Sequence, residues 1–167
     1  MSFRVLWSIA DTEWEKARLT RQSHPPGSDY DQEYLAHYEL LYGNIQFVYE
    51  DKVLFPGSAE LPAGGFYLSL IDFGNGVYTI LVRESFEQMP DGSATSFRQA
   101  DDALEINFEK NQGQVTITTN LSRSVVLDVP EQLLVIGLNQ FLSEFGREIE
   151  RRVPELLDWE SAAVLKV

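Results

Sequence analysis

The segment "PEQLLVIGLNQFLSEFGREIERRVP", residues 130–154, constrains the fold most strongly. Leu134, Leu138, Phe141, Phe145 and Ile149 recur at helical spacing, with Leu142 and Val153 beside them. A helix carrying such a stripe must lay it on an apolar surface of similar length. Pro130 suits a first helical turn, and Asp128 and Glu131 have capping-box spacing. Glu148 and Arg152 are placed to pair at i, i+4, and Pro154 stops the helix. Residues 133–138 are apolar nearly all round, which predicts deeper burial for the first half than for the second.

The surface that this helix needs is supplied by short β-like runs. "SATSFR" 93–98, "ALEINFE" 103–109, "QVTITTN" 114–120 and "SVVLDV" 124–129 are separated by "QADD", "KNQG" and "LSR". Ile106 and Phe108 alternate with Glu105, Asn107 and Glu109, while Val115, Ile117 and Thr119 alternate with Thr116 and Thr118. That period of two predicts an antiparallel meander with one wet face. Upstream, "FRVLWSI" 3–9 reads as a strand. "YELLYGNIQFVYEDKVLF" 38–55 reads as paired strands broken at Gly43-Asn44 and Glu50-Asp51-Lys52. "DTEWEKARLTRQ" 11–22 fits a short polar helix or a continuation of the first strand. "SHPPGSD" 23–29 and "PGSAELPAGG" 56–65 are loops.

"IDFGNGVYTILV" 71–82 has two readings. Asn75-Gly76 between β-formers is a hairpin signal. Leu70, Phe73, Val77, Ile80 and Leu81 also share one helical face, against a cost of about 1 kcal/mol for each internal glycine. A phosphate loop is disfavoured, because neither the dinucleotide fingerprint nor Gly-Lys-Ser/Thr is present.

With 167 residues, 44% hydrophobic and 12% aromatic, the chain has material for one sizeable core. One domain over 1–167 is expected, with a mobile loop at 23–30 and a C-terminal tail at 155–167. No apolar run spans a membrane, no export signal is read, and cysteine is absent. These features fit a cytoplasmic protein. The 26 acidic residues outnumber 13 basic ones for a net charge of −13. Such a balance disfavours nucleic acid and anionic membranes. It permits a basic partner approached by electrostatic steering, and it equally serves simple solubility.

Order and motif together, "LSLIDF", then "ADDALEINFEKNQGQVTITT", then "VVLDVPEQLLVIGLNQFLSEFGREIERRVP", resemble a diffuse group of small bacterial proteins. That group includes immunity proteins of polymorphic toxin systems. The resemblance covers roughly 38–154 and is architectural. In the group the "IDF" segment is helical and lies with the C-terminal helix against the sheet, which implies helix for about 66–86 here, with the hairpin as the alternative. The group shares no catalytic residues, so none is carried over. The expected fold is α+β: an antiparallel meander sheet of about six or seven strands with two helices packed on one face.

Candidate chemistry is sparse. His24 and His37 have no acid at metal-ligand spacing, no serine sits in a nucleophile elbow, and no Asp-x-Asp-x-Asp-Gly calcium loop occurs. No cofactor, metal or catalytic residue is expected. Asp72 stands alone in an apolar run, where a rim position or a helix cap accounts for it. The residues expected to meet a basic protein, such as a toxin domain, are Asp101, Asp102 and Glu105, the loop acids Asp29 and Asp31 with Tyr30, and the turn acids Glu50 and Asp51. The same acids also read as solvated turns. The function expected is non-enzymatic binding, with neutralisation of a cognate toxin by occlusion as its specific form. The alternatives are a small-ligand protein or enzyme with a pocket between sheet and helices, and a structural subunit of a larger assembly.

Overall fold

The computed structural model describes residues 1–25, 39–55, 65–99, 103–121 and 126–166. Strand β1 (Phe3–Ile9) leads into helix α1 (Asp11–Ser23), followed by β2 (Tyr42–Tyr49), β3 (Lys52–Leu54) and β4 (Phe66–Ser69). Helix α2 (Leu70–Tyr78) continues through a π-helical turn, Thr79–Arg83. Strands β5 (Ala94–Arg98), β6 (Glu105–Asn111), β7 (Gln114–Thr119) and β8 (Leu127–Pro130) precede the long helix α3 (Glu131–Arg152). Two 3-10 segments, Pro154–Asp158 and Glu160–Leu165, follow.

The fold is α+β with antiparallel pairing, as expected, but the strands form two four-stranded sheets among the described residues and not one meander. In the first, β2 is central: β1 pairs along its whole length, while β3 and β4 share its other edge. The second is the expected meander, β5-β6-β7-β8. The break has a physical cause. Strand β4 pairs back on β2 from Tyr42↔Ser69 to Ile45↔Phe66, and the chain then turns directly into α2, capped by the Ser69 hydroxyl accepting from the Asp72 amide. Alternation reveals strands but not their partners. Among the described residues there are also three α-helices, not two, because 11–23 is helical: Trp14, Ala17 and Arg21 form its buried face at i, i+3 and i+7.

Residues 66–86 are mostly helical, although 66–69 is strand. The glycines that suggested a hairpin are instead points of close approach. A Cβ on Gly76 would lie 2.2 Å from the Phe97 ring of β5. Asn75 donates to Ile71 O at 2.9 Å and to Ser161 O at 2.7 Å, tying α2 to the segment after α3. Gly43 and Asn44 do not break the chain either; both lie inside β2, paired with Ile9 and Ser8.

One core joins both sheets and the helices. Phe73 of α2 is its hub, with ring centroids 6.0 Å from Phe47 of the first sheet, 5.4 Å from Phe97 of the second and 5.0 Å from Phe141 of α3. The whole stripe Leu134, Leu138, Phe141, Phe145 and Ile149 is buried. Gly137 lets α3 approach β1 so closely that a Cβ there would meet the Phe3 carbonyl oxygen at 2.4 Å. The first half of α3 is the more deeply buried, with Leu134, Val135, Gly137, Leu138 and Phe141 against Phe145, Gly146 and Ile149 in the second, although Ile136 faces out at 61% exposure. The expected capping box is absent: Asp128 lies in β8 and accepts from the Thr116 hydroxyl at 2.7 Å. The residues after α3 are packed, with Leu156, Leu157, Trp159, Ala162 and Leu165 all buried.

Candidate functional site

Five of the residues expected to meet a partner, Asp29, Tyr30, Asp31, Asp101 and Asp102, lie outside the described residues, as does His37. Glu50 and Asp51 form the turn between β2 and β3, with Glu50 in the left-handed region at φ 56°. Partial burial of Tyr49, followed by the neighbouring Glu50 charge, raises the phenol pKa. Glu105 stands in the other sheet, so the turn acids and Glu105 do not share a strand neighbourhood.

Glu105 belongs to a larger surface. The inward residues of β5–β8 (Phe97, Ile106, Phe108, Val115, Ile117, Leu127, Val129) are core. Their neighbours face outward in three cross-strand rows. Arg98 stands opposite Glu105 and bonds it at 3.2 Å, with both side chains substantially exposed. Ser96, Asn107 and Thr118 form the second row, in which the Ser96 hydroxyl donates to Asn107 Oδ1 at 3.1 Å. Ala94, Glu109, Thr116 and Asp128 form the third. The face thus presents three carboxylates against one guanidinium, among short hydroxyl and amide side chains. Glu109 and Asp128 were not singled out from the sequence. The signal for Glu109 was available, because the alternation that buries Ile106 and Phe108 turns Glu105, Asn107 and Glu109 outward together.

Asp72 is buried in the first turn of α2, where its backbone amide is capped by Ser69. A carboxylate there meets the positive end of the helix dipole. His24 contacts Thr20 O through Nδ1 at 3.0 Å and forms part of the end of α1. Among the described residues no group of three or more His, Asp or Glu is placed to hold a metal ion. None of the described helices is long and apolar enough to cross a membrane.

A second locus lies at the junction of α1, α3 and the 154–158 turn. Arg18, Arg21, Gln22, Arg152, Pro154 and Glu155 line a cavity of about 270 Å³. Beside it, Glu148 binds both Arg151 and Arg152, the latter at 2.7 Å. Hydrogen bonds from Arg151 and then Arg152 hold its carboxyl down at about 2, against a partial opposing effect of burial. Because the folded value lies below the usual 4.5, Glu148 contributes stability that is fully present above pH about 4.5 and lost as pH falls toward 2. Glu148→Gln should therefore destabilise at pH 7 by about 1 kcal/mol, as befits a partly exposed network. In urea unfolding from pH 6 down to pH 3, the gap to the parent protein should narrow. A constant gap would remove the ion pairs from the explanation.

No protein-family model matches the chain, and neither the curated proteins nor the solved structures contain a significant match to it.

Proposed function

We propose that this is a non-catalytic binding protein that docks on a basic protein partner through the outer face of β5–β8. In its specific form it is an immunity-type protein that occludes a toxin domain. The observation that carries this reading is the row pattern of that face: Glu105, Glu109 and Asp128 stand out from a sheet whose other side is core. The net charge of −13 favours the same class of partner, and the architectural resemblance to immunity proteins points the same way. Carboxylates on an exposed sheet act chiefly on encounter, raising the association rate at low salt, and contribute less to residence time. The face is rigid, since every strand in it is paired and backed by core. A partner would meet it without a large ordering cost.

The test is kinetic binding to the product of the neighbouring gene, at low and at high salt. The association rate should fall as salt screens charges beyond about 8–10 Å. Reversing Glu105 and Glu109 together to Lys should lower that rate about tenfold at low salt while changing dissociation less. Binding with a salt-indifferent association rate, unaltered by the reversal, would move the interface elsewhere.

The small-ligand reading has one observation of its own in the arginine-lined cavity between α1 and α3. It concerns a different surface from the β5–β8 face and stands or falls separately.

A further inference from the structure

We infer that the cavity between α1, α3 and the 154–158 turn is a binding site for a small oxyanion of the phosphate or carboxylate class. Three of the chain's 13 basic residues, Arg18, Arg21 and Arg152, line this one cavity of a strongly acidic protein. Two of them are neutralised at their outer edges. Arg18 is bound by Glu15, and Arg152 by Glu148 at 2.7 Å and Asp11 at 3.1 Å.

Arg21 differs. It is only 9% exposed, yet its protein acceptors are two backbone carbonyls, Glu155 O at 2.9 Å and His24 O at 3.3 Å. Among the described residues no carboxylate pairs with it. A buried charge ordinarily has a counter-charge, and the volume beside Arg21 is where one fits. The guanidinium is also held in place, lying 5.5 Å over the Trp159 ring, just as Arg152 lies 5.1 Å over Trp14. Stacked and tethered guanidiniums are already ordered before a ligand arrives, so less entropy is lost on binding.

Among the described residues, each of the three keeps one terminal nitrogen outside its protein contacts: Nη1 of Arg18, Nη2 of Arg21 and Nη2 of Arg152. Planar forked donors match carboxylate and phosphate oxygens. The size argues for a small group, since about 270 Å³ falls below the range of roughly 300–1,000 Å³ usual for larger ligands. The nearby acids limit the affinity. Glu15, Asp11 and Glu148 already hold Arg18 and Arg152, so Arg21 supplies the uncompensated charge.

The two stacked tryptophans provide the readout. Sodium phosphate and, separately, sodium succinate would be titrated into the full chain at ionic strength held constant with sodium chloride, following tryptophan fluorescence. A saturable change with either anion is expected; phosphate alone would assign a tetrahedral oxyanion, succinate alone a carboxylate. Loss of a guanidinium donor should weaken binding about tenfold or more in Arg18→Gln, whose side chain is about half exposed, and in Arg21→Lys, which keeps the charge but loses the fork. Arg147→Gln, on the exposed face of α3, should bind as the parent does. If Arg21→Lys does not fold, Arg18→Gln decides alone. No saturation by either anion, or saturation equal in parent and Arg18→Gln, means an adventitious ion only and overturns the assignment. Neither outcome bears on docking at β5–β8.

Discussion

Phe141→Ala is expected to lower the free energy of unfolding by about 3–5 kcal/mol, the usual cost of truncating a fully buried Phe. Phe141 is 1% exposed and belongs to a ring cluster rather than to a single contact. Its centroid is 5.0 Å from Phe73, 5.7 Å from Phe145 and 6.3 Å from Trp7. Removing it leaves a void bounded by α2, α3 and β1, three elements that cannot close in together. Gly137, one turn earlier, already holds α3 against the Phe3 carbonyl. The cost therefore belongs at the upper end of the range, because the penalty grows with the cavity that survives relaxation. Urea unfolding followed by tryptophan fluorescence and by circular dichroism would measure it. A loss below about 1 kcal/mol would place the ring outside the true core.

Lys110→Ala should cost about as much, roughly 3–5 kcal/mol, the range for deleting one partner of a buried ion pair. Lys110 is 4% exposed and sits near the end of β6. Its ammonium donates to Phe86 O at 2.9 Å, Glu87 O at 3.3 Å and Met89 O at 2.8 Å. It also pairs with Glu131 at 2.8 Å and lies 5.2 Å from the Phe86 ring centre. One side chain thereby pins the 86–89 turn to the second sheet and to the start of α3. Its removal strands three carbonyls and a carboxylate. Lys110→Met should be nearly as damaging, because it restores the stem without the charge. Thermal unfolding of both variants beside Lys110→Arg would separate the charge from the stem. Full stability in Lys110→Met would reduce the network to packing.

Lys110 also shows where a sequence stops being informative. In "KNQG" it reads as a turn residue, and a lysine at the edge of a strand ordinarily faces water. Nothing local announces that the carbonyls of residues 86–89, more than twenty positions earlier, lie over it. Glu131 misleads for the same reason: its spacing from Asp128 suits a capping box, whereas its carboxylate serves Lys110 and Asp128 serves Thr116. By contrast, α3 and the β5–β8 meander were legible, because burial on one face imposes a period on the chain itself. Of the β5–β8 face, Glu105 was found and Glu109 was in plain view. Asp128 was hidden by its plausible role as a cap. The division into two sheets was not legible, since β4 returns to β2 on hydrogen bonds that leave no trace in side-chain alternation. The arginine cavity is not legible in the sequence either. Arg18 and Arg21 stand more than 130 positions before Arg152, and nothing around Arg21 in the sequence marks it for burial under Trp159 and the Glu155 carbonyl.

The packing of residues 156–165 onto α2 sets an order of events during synthesis. Leu165 lies against Gly74, and Asn75 is held by the Ser161 carbonyl, so the outer side of α2 stays uncovered until nearly the last described residues have left the ribosome. Both sheets and α3 can be complete before then, yet the core is still open on that side. A nascent or truncated chain lacking this segment would display the apolar flank of α2 to chaperones and proteases, whereas the docked segment hides it. The segment thus acts as a late-arriving cover, whose docking closes the core over α2.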